Sequence, residues 1–87
     1  MNRDLNKLLA AINRAVTAVH EDPKNVAKGN YPEDLIQLIR YAKNEVNELI
    51  YEIIAPETDY DRIISEAGDC INFLGMIVLE AEKRKLG

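Results

Sequence analysis

The sequence predicts an all-α chain: three helices that a second copy completes into a helical bundle. Three observations carry this expectation. Apolar residues recur at helix-face spacing along three long stretches, alternating strand patterns and internal repeats are absent, and only four Gly and three Pro interrupt 87 residues.

In the first stretch Leu5, Leu8, Leu9, Ile12, Val16 and Val19 fall on one face. This helix should stop near Glu21, because Pro23 lacks a backbone donor and disfavours helix in the residue before it. Asp22 to Tyr31 contains Pro23, Asn25, Gly29 and Asn30 and reads as a loop. Pro32 suits the first turn of a second helix, with Glu33 and Asp34 at its positive end. That helix carries Leu35, Leu38, Ile39, Ala42, Val46, Leu49, Ile50 and Ile53, and must end before Pro56. Thr58 and Asp59 offer capping oxygens for a third helix, from about Tyr60 to Lys85. Its close, Lys83-Arg84-Lys85, places cations at the negative end of the helix dipole.

The third helix sets the expected assembly. Ile71, Phe73, Leu74, Met76, Ile77, Val78 and Leu79 make it apolar around most of its circumference. Such a helix needs packed neighbours on every side, and two partners from the same chain can hardly supply them. The expectation is a homodimer or higher homo-oligomer, with a four-helix bundle assembled from two chains.

Length and composition exclude several classes. Eighty-seven residues make one domain, 1–87. With 47% hydrophobic and 30% charged residues the chain is globular rather than disordered. One cysteine permits neither an internal disulfide nor a multi-thiolate zinc site. A net charge of -4 opposes binding to a nucleic-acid polymer. The apolar run from Cys70 to Leu79 falls short of the roughly 20 residues that span a membrane. Met1-Asn2-Arg3-Asp4 leads into an amphipathic stretch rather than a signal peptide, so a cytoplasmic, membrane-free protein is expected.

The chemistry concentrates in carboxylates. Glu45-Val46-Asn47-Glu48 lies on the second helix and Glu66-Ala67-Gly68-Asp69 on the third. Residues three apart share a helix face, and both pairs border apolar residues. Four converging carboxylates repel one another and lose hydration, so they call for a cation. An all-oxygen donor set fits Mg²⁺, or Mn²⁺, rather than zinc or copper. Metal-assisted phosphoryl chemistry is the reaction class that follows. A chain with fifteen acidic residues also produces such spacings on solvated faces, so the weight rests on two pairs on consecutive helices.

Glu45-x-x-Glu48, followed after seventeen residues by Glu66-x-x-Asp69, resembles the signature of the MazG-like, all-α nucleoside triphosphate pyrophosphohydrolases. Asn44-Glu45-Val46-Asn47-Glu48-Leu49 is similar to that family's glutamate-rich helix. Ser65-Glu66-Ala67-Gly68-Asp69-Cys70-Ile71-Asn72-Phe73-Leu74 is similar to its second metal helix. The resemblance covers roughly Leu35 to Leu79. It implies an oligomeric enzyme that uses Mg²⁺ to hydrolyse a nucleotide triphosphate to the monophosphate and pyrophosphate. Carried over, Glu45, Glu48, Glu66 and Asp69 become the metal ligands and catalytic carboxylates, and one of them, or Glu52, orients the attacking water. The chain departs from the pattern in having no separate fourth helix and no Trp. The alternative is a non-catalytic helical module that binds or sequesters nucleotides or engages another protein.

Smaller signals have two readings each. Asn72, one turn after Asp69, is a candidate substrate contact or a polar group satisfied in the bundle. Phe73 and Tyr41 are candidates to stack on a base, or packing residues. Lys83 is a candidate phosphate contact, or a helix-end cation. Asn13, Thr17 and His20 form a polar stripe that contacts a base or ribose, or a solvated face. Lys24 and Lys28 close over a phosphate chain or sit in a solvated loop. Cys70 reads as a core residue.

Overall fold

The computed structural model describes residues 2–28 and 34–87, the first two and last two residues of the first segment by backbone alone. Four helices follow one another: α1 (Asn2–Glu21), α2 (Pro23–Lys28), α3 (Leu35–Ile54) and α4 (Tyr60–Leu86). Among the described residues there is no strand, and no helix is long and apolar enough to cross a membrane. The chain is all-α, as its periodicity predicts.

Local chemistry explains the boundaries. α1 gives way at Asp22, whose side chain accepts a hydrogen bond from the Lys24 amide at 2.9 Å. Pro23 therefore opens α2, where a loop is expected. Proline stops one helix and, behind an Asp cap, starts the next. The Asn25 amide donates to the Val19 carbonyl at 2.9 Å and ties α2 back onto α1. Gly29, Pro32 and Glu33, and the side chain of Lys28, lie outside the described residues. Asp34 is not in the first turn of α3 but caps it, accepting from the Ile36 amide at 2.9 Å. α3 ends as Ala55 turns extended ahead of Pro56 (ψ 145°). Asp59 rather than Thr58 caps α4, accepting from the Arg62 amide at 3.2 Å.

α4 packs against both α1 and α3, whereas the backbones of α1 and α3 do not approach each other closely among the described residues. α3 and α4 run antiparallel, with facing pairs Glu52–Arg62, Glu48–Glu66, Glu45–Asp69 and Tyr41–Phe73. α1 runs parallel to α4. Ala15 lies against Gly68, where a β-carbon would sit 3.0 Å from the Ala15 carbonyl oxygen, and His20 meets Asn72 one turn later. Gly68 is what lets α1 lie this close.

The core is small. Val19, Leu38, Ala42 and Cys70 are the buried apolar residues among those described. Leu5, Leu8 and Leu9 of α1, Ile36, Ile50 and Ile53 of α3, and Leu74, Val78 and Leu79 of α4 are exposed. The all-round apolar segment of α4 is thus covered on two sides only. A compact chain of this length has a radius of gyration of about 12 Å; here it is 14.2 Å. A monomer of this mass exposes roughly 5,200 Å²; here 7017 Å² is accessible.

Candidate functional site

The facing rows of α3 and α4 place two rungs of carboxylates midway along the helix pair. Below them the Arg62 Nε donates to Glu52 Oε1 at 2.9 Å. Above them Tyr41 and Phe73 stack, ring centres 5.5 Å apart and 23° from parallel. Antiparallel packing turns two i, i+3 patterns into a single acidic cluster, because successive turns of one helix meet successive turns of the other.

One carboxylate oxygen each from Glu45, Glu48 and Glu66 lies within 4.8 Å of the others. Glu45 and Glu66 are half-buried, and each has an Oε2 atom sealed from solvent with no hydrogen-bond partner. Water cannot relieve the repulsion at those atoms. Burial, together with the charges of Glu48 and Asp69, pushes the Glu45 carboxyl up to about 7. Glu66 is raised for the same reason, burial first and then its hydrogen bond and charge contact with Glu48; Arg62 opposes the rise. Glu48 acts on both neighbours and is the centre of the cluster.

Orphaned buried oxygens, a converging donor set and raised carboxyls are what a hard divalent cation would satisfy. Glu45, Glu48 and Glu66 fit such an ion. Asp69 lies in the same wall, half-buried, and its charge acts on both Glu45 and Glu66. Its oxygens are not in the group of three that converge. Glu52 is held by Arg62 and does not line the cavity.

The cluster opens into a cavity of about 530 Å³, walled by all four helices. α1 supplies Ala15, Ala18 and Val19; α2 supplies Lys24 and Asn25; α4 runs along it from Asp61 to Phe73. Lys24 is the one cation among the described lining residues. The sequence predicts a loop where α2 stands, although Asp22-Pro23, a capping residue ahead of a first-turn proline, is a legible signal for it.

Asn72 and Phe73 line the cavity; Tyr41 supports Phe73 from behind the wall. Asn72 is 4% exposed, its Oδ1 accepts from His20 Nε2 at 2.8 Å, and its Nδ2 is buried without a partner. The polar stripe of α1 divides: Thr17 bonds Asn13 at the surface, while His20 reaches the site through Asn72. Lys83 is exposed, and with α4 straight it lies about 21 Å along the axis from Asp69, outside the cavity wall.

No protein-family model matches the chain, and comparisons with curated proteins and with solved structures give no match either.

Proposed function

We propose that the chain is a Mg²⁺-dependent nucleotide pyrophosphohydrolase of the MazG-like class, working as a homodimer or larger assembly in the cytoplasm. The observation that carries this reading is the convergence of Glu45, Glu48 and Glu66 within 4.8 Å, with buried oxygens that have no partner. A solvated acidic face has no reason to bury carboxylates against one another. A cation site has one: the ion recovers the desolvation and repulsion that the cluster incurs.

In this reading Glu45, Glu48 and Glu66 hold Mg²⁺, with Asp69 directing its charge at the same place. The bound ion supplies charge neutralisation for the triphosphate and activates a water. The protein's share is positional. The carboxylates fix where the phosphates lie, Lys24 supplies a counter-charge from the cavity wall, and Asn72 and Phe73 face the remainder of the nucleotide. Water adds to the α-phosphoryl group, the α–β bridging P–O bond breaks, and pyrophosphate leaves. Glu52 is tied to Arg62 and does not line the cavity, so one of the clustered carboxylates orients the water.

The assembly is supported by surface. The chain exposes roughly 1,800 Å² more than a monomer of its mass by the usual scaling, and a stable interface takes about 800 Å² from each partner. The exposed leucines and isoleucines of α1, α3 and α4 are the surface a second copy would cover.

The deciding experiment is pyrophosphate release from a panel of ribo- and deoxyribonucleoside triphosphates with Mg²⁺, alongside calorimetric Mg²⁺ titration. Release from one or more of them supports the reading. Absence of both release and Mg²⁺ binding overturns it, and tight nucleotide binding without turnover selects a sequestering module instead.

A further inference from the structure

We propose that Asn72 reads a hydrogen-bond acceptor on the nucleoside part of the bound ligand, and that His20 is the positioning residue that holds its amide in the reading orientation. This rests on the nucleotide reading above and assigns it a recognition end.

The observations are independent of the carboxylates. An asparagine amide has an acceptor edge and a donor edge. The acceptor edge is used: His20 Nε2 donates to Oδ1 at 2.8 Å across the α1–α4 contact. The donor edge is not: Nδ2 is buried without a partner, on a side chain only 4% exposed that lines the cavity. A buried donor left unpaired costs about 1–3 kcal/mol, and every buried amide that packing alone required could be replaced by an apolar side chain.

Position selects the ligand group. Asn72 lies one turn beyond Asp69 and about 9 Å along the axis from Glu66, past the carboxylates that would hold the ion and its phosphates. It is next to Phe73, whose ring lines the same cavity with Tyr41 stacked behind it. An amide donor beside an aromatic wall suits the edge and face of a nucleobase, whose carbonyl oxygens and ring nitrogens are acceptors.

The test is calorimetry on the full chain with Mg²⁺ and α,β-methylene nucleoside triphosphates, which resist cleavage at the α–β bond, beside inorganic tripolyphosphate and Mg²⁺ alone. Asn72→Leu should lower nucleotide affinity about tenfold, the loss of one buried hydrogen bond. It should leave tripolyphosphate and Mg²⁺ affinities unchanged and the melting temperature no lower. His20→Ala, at an exposed position, should lower nucleotide affinity severalfold, and the double variant should lose no more than Asn72→Leu alone, since His20 acts through the amide. If Asn72→Leu does not fold, the loss in His20→Ala carries the test. Unchanged nucleotide affinity overturns the assignment, as does a loss shared with tripolyphosphate, which would put Asn72 on phosphate. A parent protein that binds neither Mg²⁺ nor nucleotide overturns the functional reading itself, a result separable from the others.

Discussion

Glu48 joins two carboxyls that are each raised by burial and by its presence. Removing its charge should therefore act in opposite directions on fold and function. Glu48→Gln is expected to reduce pyrophosphate release to background and abolish the Mg²⁺-dependent gain in melting temperature, while the metal-free protein melts no lower than the parent. The pH dependence follows from Glu45, raised from 4.5 to about 7. Between those values the folded chain keeps a proton that the unfolded chain has released, so stability falls as pH rises through the window. Metal-free protein should melt higher at pH 5 than at pH 8. Mg²⁺ should raise the melting temperature more at pH 8, because the ion binds the ionised carboxylates and displaces the proton. Thermal melts at the two pH values, with and without Mg²⁺, check both statements. Equal melting temperatures at pH 5 and pH 8 without metal would contradict the placement of Glu45.

Each helix–helix contact places one part of the site. Gly68 sets the approach of α1, with the Ala15 carbonyl 3.0 Å from where a β-carbon would be. Gly68→Val inserts two methyl groups and a β-carbon against backbone that cannot rotate away. It should destabilise the fold by about 1–3 kcal/mol, despite the poor helix propensity of glycine, and should loosen the His20–Asn72 contact one turn on. Chemical denaturation measures the first effect. α2 is a short helix, held by the Asp22 cap and by Asn25 on the Val19 carbonyl. It brings Lys24 to the cavity wall, a placement that a disordered connection would not give.

At the scale of the whole molecule, four buried apolar side chains among the described residues make a thin core for a helical domain. The surface left over is the strongest physical reason for self-association. If copies associate through the exposed apolar face of α4, the melting temperature should rise with protein concentration, since folding and association are then linked. Val78→Glu should shift the mass in sedimentation to that of one chain and lower the melting temperature. A parent protein that sediments as a single chain at micromolar concentration contradicts the dimer.

Much of the fold was legible in the sequence because helix faces are local: residues three and four apart lie together whatever the rest of the chain does. That rule identified α1, α3 and α4 and the pairs Glu45/Glu48 and Glu66/Asp69, and the chemistry of proline gave the stops before Pro23 and Pro56. It missed α2 because Pro23 ends one helix and opens another, and only the hydrogen bond from Lys24 to Asp22 distinguishes the two uses. Local spacing therefore gives the helical class and which carboxylates share a face. The packing of the folded chain is what makes Glu45, Glu48 and Glu66 converge while Asp69 stands beside them, gives Glu52 to Arg62, and brings His20 to Asn72. Those outcomes depend on the register of α3 against α4 and on how closely α1 approaches at Gly68. Register and approach are set by packing between residues far apart in the chain, which no local spacing encodes.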